Sequence, residues 1–237
     1  MEIFINRSIA LSKVSRHAWG HAGAIVLSRN EFKRKGRLSA VPFSDRVVVN
    51  LGIAPTVDGA IVYNTRNMVR SILTPASLRK TMPSLIPPIA KLGESAWFKG
   101  PGYAGKNKTY YHAWGGDGFD EAKWDIQKHI EGTEYRVISV GNRIVQAFIK
   151  TPDDSPCGFT WKWVGANGIK NLGIRPLVRE AVGLIVDIYG DFSIIGWDII
   201  RDASGQCFII EGNTSPGVNV HSAKRIVKQI RNDNGND

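Results

Sequence analysis

The sequence predicts an α+β chain built around antiparallel sheets. Three observations predict it. Short strand-like stretches bounded by Gly, Pro, Asn and Asp recur along the chain. One long helical pattern, from Arg175 to Tyr189, interrupts them. Tight turns at Gly141–Asn142 and Asp202–Gly205 fold neighbouring strands back on themselves. The 237 residues, 43% hydrophobic and 22% charged with 25 Gly and 11 Pro, suffice for a sizeable core without staples, and exclude disorder, collagen and a coiled coil. No apolar run approaches the roughly 18 residues of a membrane span. Met1 to Trp19 has neither a continuous apolar stretch nor a small-residue cleavage site, so it reads as mature protein.

The elements follow in order. The leading sixty residues carry a basic cluster, Lys33–Arg34–Lys35–Gly36–Arg37, in a solvated loop. Arg46 to Asn50 reads as a buried strand ending in Leu51–Gly52, and Ala60 to Tyr63 as a second, closed by Asn64. Asn67 to Leu73 has room for one or two helical turns, and Pro87–Pro88 stops the chain before another short element. Ala96 to Lys99 is a strand running straight into Gly100–Pro101–Gly102–Tyr103–Ala104–Gly105–Lys106, and Tyr110 to Trp114 returns. Trp124 to Gln127 and Tyr135 to Val140 are further strands, the latter paired with Ile144 to Ile149 as a hairpin. Beyond Pro176, Leu177, Val178, Ala181, Val182, Ile185 and Ile188 share one helical face. Ile194 to Ile200 and Gln206 to Glu211 are two strands, Ser222 to Ile230 a basic closing helix, and Arg231 to Asp237 a frayed tail.

Charge narrows the partners. Thirty-one Lys and Arg against 21 Asp and Glu leave a net charge of +10, which favours nucleic acid, nucleotides or an acidic peptide without choosing among them. Cys157 and Cys207 are the only cysteines and form no ligand spacing, so a reducing cytoplasmic setting is expected.

Three features carry chemistry. Asp198 lies on one strand of the C-terminal hairpin and Glu211 ends the other, with Asn213 two residues on and hence on the same side. Each carboxylate adjoins an apolar run (Ile194–Ile195–Gly196–Trp197 and Phe208–Ile209–Ile210), where it is costly unless paired or metal-bound. Two carboxylates and an amide oxygen suit Mg²⁺, which keeps waters or phosphate oxygens for the rest of its octahedron. Lys99 before the glycine loop can bring an ammonium and backbone N–H groups onto a polyphosphate, although no GxxxxGK[ST] loop occurs. Arg136 alternates with Tyr135 and Val137, so it projects from one sheet face, either to grip a phosphoryl group or to form a surface salt bridge.

Gly196–Trp197–Asp198–Ile199–Ile200, Gly205, and Ile209–Ile210–Glu211–Gly212–Asn213–Thr214–Ser215–Pro216–Gly217 resemble the closing signature of the ATP-grasp ligases. The resemblance covers roughly residues 45–230 and implies the ATP-grasp fold, two α+β subdomains clasping ATP between antiparallel sheets. It implies a short N-terminal segment over 1–60, an ATP-grasp domain over 61–230 (central subdomain 61–128, C-terminal subdomain 129–230) and a flexible tail, 231–237. It also implies roles. Lys99, Gly100, Gly102, Gly105 and Lys106 would bind phosphates; Gln127, Lys128, His129 and Ile130 would meet adenine; Glu134 would take ribose. Arg136 would stabilise the transferred phosphoryl group with Lys99, and Asp198, Glu211 and Asn213 would hold Mg²⁺ or Mn²⁺. The implied activity is Mg-ATP-dependent carboxylate–amine ligation through an acyl phosphate, releasing ADP and phosphate. With Gly196 where D-alanine ligases carry arginine, the chain looks closer to the ribosomal-protein glutamate ligases, with a peptide or an acidic protein tail as substrate.

Some residues depart from the pattern. The family's first nucleotide-binding lysine would fall near Ile72, where the nearby cations are Arg70 and Lys80; Lys80 is the candidate, alongside a plain surface role. Gly212 replaces the usual Val or Ile and is expected to loosen its strand. His17 and His21, spaced i, i+4, lack a third ligand and read as packing or surface residues. Trp161 and Trp163 could form a stacking platform for bases, pack as buried aromatics or serve as a lid over the active site. Two rivals therefore stand beside the ligase: a basic nucleic-acid-binding protein, and a nucleotide-sensing ATP-grasp pseudoenzyme.

Overall fold

The computed structural model describes residues 2–7, 13–28, 47–51, 60–65, 68, 69, 72, 74–100, 108–115, 124–154, 158–164, 167–189 and 192–235. Three sheets organise them. Strands β1 (Ile3–Arg7), β2 (Ile25–Ser28), β3 (Val47–Leu51) and β4 (Ile61–Tyr63) form the first, in the order β2-β1-β3-β4. Every pair in it is parallel. Helix α1 (Lys13–His21) supplies the crossover that parallel neighbours require. The antiparallel sheets expected of an α+β chain are the other two; this first sheet adds a parallel one, in which β4, just past residue 60, pairs with β3. The reason lies in β3 itself: all five of its residues are buried, as in a strand covered on both faces.

Asn64 ends this sheet and ties it to the rest. It has a φ of 59°, a left-handed conformation that Asn tolerates better than most residues. Its buried Nδ2 reaches the carbonyls of Ile194 (2.9 Å), Asn50 (3.1 Å) and Thr214 (3.2 Å), and its Oδ1 accepts the Ile194 N–H at 2.7 Å.

Helix α2 (Pro75–Thr81) follows, with Pro in its first turn and the Thr74 hydroxyl accepting the Ser77 N–H at 3.1 Å. Met68, Ile72, Leu78, Met82, Leu85 and Ile86 all bury in the core of the C-terminal sheet. Residues ahead of the division expected at 128 thus share a core with the strands that follow it. What remains as a middle piece is a three-stranded antiparallel sheet, order β6-β5-β7, from β5 (Ala96–Lys99), β6 (Lys108–Tyr111) and β7 (Asp125–Lys128). Strand β6 starts two residues before the expected Tyr110 and ends at Tyr111.

The largest sheet is antiparallel, order β10-β9-β8-β11-β12. Its strands are β8 (Gly132–Val140), β9 (Arg143–Pro152), β10 (Phe159–Trp163), β11 (Ile194–Asp202) and β12 (Cys207–Asn213). Tyr135, Val137, Ile195, Trp197, Ile199 and Ile209 share a core with Leu177, Val178, Ala181, Val182 and Ile185 of helix α3 (Ile174–Tyr189). The two-residue period of a strand then places Glu134, Arg136 and Asp198 on the opposite face, and a bulge at Ile210, left out of the pairing with β11, brings Glu211 opposite Asp198 to join them. Gly212 keeps its place in the pairing of β12, opposite Trp197 in register, and a Cβ there would sit in van der Waals contact with the fully buried indole at 3.4 Å.

Helix α4 (Val220–Asp233) closes the chain, its N-terminus capped by Asn219 Oδ1, which accepts the Ser222 N–H at 2.9 Å. Ala223, Ile226, Val227 and Ile230 bury against the parallel sheet. The helix continues to Asp233, three residues into the expected tail; residues 236 and 237 lie outside the described ones. Among the described residues no helix is long and apolar enough to cross a membrane.

Candidate active site

A cleft of about 250 Å³ opens between the three-stranded sheet and the free face of the five-stranded sheet. Eight of the residues singled out from the sequence line it: Lys99, Gln127, Lys128, His129, Ile130, Glu134, Asp198 and Glu211. Strand register explains the convergence. Arg136, Asp198 and Glu211 stand directly opposite one another on β8, β11 and β12, one row across three strands.

Each acid of the cleft is matched with a cation. Arg136 grips Asp198 through both ends of the carboxylate, with Nε to Oδ1 and Nη2 to Oδ2 each at 2.7 Å. The guanidinium also lies over the Trp161 ring, 4.5 Å from its centroid. Hydrogen bonding to Asp198 raises the Arg136 pKa further, so its charge is permanent. Lys108 Nζ meets Glu211 Oε2 at 2.8 Å, and Lys150 Nζ meets Glu134 Oε2 at 2.7 Å.

The residues present fit a small oxygen-ligated cation. Asp198 and Glu211 face each other across one strand pair, and Asn213 follows on the same side, exposed. Asn213 Oδ1 accepts the Ser215 N–H at 2.8 Å and keeps a second lone pair. No group of three or more His, Cys, Asp or Glu side chains occurs among the described residues. Asp198 and Glu211 supply the one or two carboxylates that Mg²⁺ takes.

Lys99 crosses the cleft. Its buried Nζ donates to Gln127 Oε1 at 2.6 Å and to the Ile210 carbonyl of β12 at 2.7 Å. Burial, with Lys108 as its neighbour, pulls its pKa down from 10.5 to about 8. A polar chain continues behind it. Gln127 Nε2 donates to Asp125 Oδ2 at 2.6 Å, the other Asp125 oxygen takes the Arg79 Nε–H, and Arg79 Nη2 reaches the Pro87 carbonyl at 2.8 Å.

Arg79, the neighbour of Lys80, thus points into this chain behind the cleft and does not line the cleft itself. Lys80 is exposed on α2 and does not line the cleft, because one residue along a helix turns a side chain by about 100°. Arg70 lies outside the described residues, as do Gly102, Gly105 and Lys106. Gly100 is described, and its lack of a side chain has a packing cause: a Cβ there would come within 2.7 Å of the Trp124 ring.

The segment expected to meet adenine reaches the cleft with part of its backbone already engaged. Lys128 N–H donates to the Pro88 carbonyl and His129 N–H to the Ser95 carbonyl, each at 2.8 Å. The His129 ring accepts the Trp97 indole N–H on Nδ1 at 3.0 Å, which leaves any proton of a neutral ring on Nε2. Trp97, Lys108 and Lys150 were not singled out from the sequence, yet they line the cleft. Lys108 owes its place to the strand register that sets it opposite Lys99 across the glycine loop, which the sequence does not display. His17 and His21 stack on each other at 4.2 Å, away from the cleft.

No family model matches the chain. No curated protein matches it either. Solved structures do. D-alanine–D-alanine ligase from Bacillus anthracis, complexed with ATP, superposes with a TM-score of 0.62 at 11% identity, covering 99% of this chain and 100% of that one. The ATP-grasp ligase PsnB, complexed with a minimal precursor, Mg and ADP, gives 0.63 at 13% identity over 96% of each chain. D-cycloserine synthetase DcsG gives 0.61 at 12% identity, over 96% of this chain and 99% of that one. The chain has the ATP-grasp fold. The cleft lies between its three-stranded and five-stranded sheets, where eight of the sequence-predicted residues line it.

Proposed function

We propose that this protein is a Mg-ATP-dependent carboxylate–amine ligase acting in the cytoplasm, with a peptide or protein as a substrate. One observation carries the proposal: Asp198 and Glu211, in one row with Arg136, line a cleft whose other wall presents Lys99 and Lys108. ATP-grasp neighbours crystallised with ATP, or with ADP and Mg, support nucleotide and metal at this fold's cleft.

Lys99, Lys108 and Arg136 would take the phosphate oxygens, and Glu134 the ribose. Gln127 to Ile130 would line the base, with His129 offering Nε2–H. Asp198, Glu211 and Asn213 would hold Mg²⁺ or Mn²⁺, which supplies charge neutralisation on the polyphosphate. In the reaction a substrate carboxylate oxygen bonds to the γ-phosphorus as its bond to ADP breaks. An amine nitrogen then bonds to the acyl carbon, phosphate leaves, and the amine gives up a proton. Arg136 is placed to stabilise charge on the moving phosphoryl group, and the narrow cleft to keep water from the mixed anhydride.

Binding requires an exchange of partners. The cations that now neutralise Asp198 and Glu211 turn to phosphate as those carboxylates turn to metal, so charge stays balanced throughout. The test is ADP release across panels of amino acids and acidic peptides. Wild type should release ADP only with a cognate pair, and Asp198→Ala or Glu211→Ala should abolish that release while circular dichroism is unchanged. Full turnover by either variant would remove the metal assignment.

A further inference from the structure

A second cavity, of about 510 Å³, shares no lining residue with the cleft. It opens where the turn between β8 and β9 meets α3 and the end of β4. Val140, which lines it, stands four residues along β8 from Arg136, about 14 Å in an extended strand. Val140, Val182 and Val186 supply apolar walls, together with the Tyr63 and Phe192 rings, whose centroids lie 5.2 Å apart. Two exposed cations, Arg143 of β9 and Arg179 of α3, complete the lining. Among the described residues neither guanidinium has an ion-pair or hydrogen-bond partner. Asp233 is the acid of the lining, and its Oδ1 accepts from Gln229 Nε2 at 2.6 Å, so a net positive charge remains. Burial pushes the Tyr63 phenol up to about 12, which keeps it neutral beside an anion.

Helix α3 adds an independent sign. Arg179, Val182, Gly183 and Val186 recur at i, i+3, i+4 and i+7, one stripe of the helix along the cavity. Glycine is unfavourable inside a helix, yet close packing does not demand it here. Outside the helix itself, a Cβ on Gly183 would meet no heavy atom of the described residues within 4 Å. What the missing side chain does is keep the cavity open, at a volume typical of ligand pockets. Apolar walls beside two guanidiniums suit an amphipathic anion. A carboxylate matches a guanidinium with two parallel hydrogen bonds, and its single charge costs less to bring against apolar walls than the two of a phosphate. We infer that this cavity is a second binding site, which takes a small organic acid with a hydrophobic body. Arg143 and Arg179 hold its carboxylate, and its hydrocarbon lies against Phe192 and in the space over Gly183. The acid bound here is not the one that reacts, because none of the groups proposed for phosphoryl transfer lines the cavity.

Binding to the full chain can be measured by titration calorimetry without nucleotide. The probes are phenylpropanoate, phenylpropanol and phenylpropylamine, which share one hydrocarbon body, and acetate, which lacks it. Phenylpropanoate should bind about tenfold more tightly than each of the other three. Gly183→Leu puts a side chain into the cavity and favours the helix, so it should abolish binding while circular dichroism and stabilisation by Mg-ADP are unchanged. Arg143→Ser combined with Arg179→Ser, both on the exposed surface, should bring the acid down to the affinity of the alcohol. Equal binding of acid and alcohol by wild type would overturn the inference, leaving an apolar cavity without anion recognition. So would acetate matching phenylpropanoate, which would make the arginines a surface anion site only. Wild-type affinity in Gly183→Leu would overturn it as well, by seating the acid elsewhere on the molecule.

Discussion

The two walls of the cleft are held by different physics. The five-stranded wall rests on a large apolar core that includes Trp197, Ile209 and the inner face of α3. The described apolar core of the three-stranded wall comprises Ala90, Ala96, Phe98 and Ile126, with Tyr111, Trp114 and Trp124 packed around it. Its second support is the polar chain from Ile210 through Lys99, Gln127 and Asp125 to Arg79. Apolar burial is non-directional and tolerates a change of chemistry nearby, whereas a buried polar chain fails when one partner is removed. The wall carrying Arg136, Asp198 and Glu211 is therefore the anchored one. The wall carrying Lys99 and Lys108 is the one that a ligand can reposition.

The largest effect should come from the anchored wall. Trp197→Ala removes a fully buried indole that also donates to Ser139 Oγ at 3.0 Å and packs over Gly212. A loss of about 3–5 kcal/mol in global unfolding free energy is expected from such a truncation. Urea unfolding with an unchanged slope would measure it, and a loss below 1 kcal/mol would show that this core does not bear the wall.

A smaller and local effect should follow on the other wall. Arg79→Met strands the Asp125 carboxylate, whose side chain is 1% exposed. Roughly 3 kcal/mol is expected from an uncompensated buried charge. It should appear in amide exchange of 96–99 and 125–128 before it appears in the global transition. Arg79→Met with Asp125→Leu should recover most of the loss, because the unpaired charge is then gone. Failure of the double variant to recover would place the stability in the apolar cluster instead.

The same contrast explains what could be read from the chain. Asp198 and Glu211 were legible because carboxylates beside Trp197 and Ile210 violate the apolar pattern around them. Arg136 was legible because strand alternation fixes its face. Arg79 was not, since choosing it over Lys80 requires knowing which turn of a seven-residue helix faces the sheet. Lys108 depends on the register of a hairpin whose connecting loop is long. Contacts between segments far apart in the chain were out of reach for a different reason. Helix α4 returns to the parallel sheet and residues 68–86 join the C-terminal core, and no cut in a linear sequence expresses such a return. The run Val47–Val48–Val49 did carry a sign of parallel pairing, in its lack of alternation.

The finest distinction between the walls concerns protons. The Lys99 pKa falls from 10.5 to about 8 on folding, so the unfolded chain binds more protons between those values. Stability from this group is therefore lowest below pH 8 and rises as pH climbs toward 10.5, by at most about 1.4 kcal/mol per pH unit. The difference between wild type and Lys99→Met across that window isolates the effect from other groups that titrate there. Nucleotide binding should show the opposite sign. A polyphosphate favours the charged ammonium, so Mg-ADP affinity should fall above pH 8, by at most about tenfold per pH unit for one proton. Calorimetry at pH 8.5 in buffers of different ionisation enthalpy should then register proton uptake on binding. Uptake that persists in Lys99→Met would assign the proton to another group. Its disappearance there would place the pH-sensitive contact on the movable wall, opposite the permanent charge of Arg136.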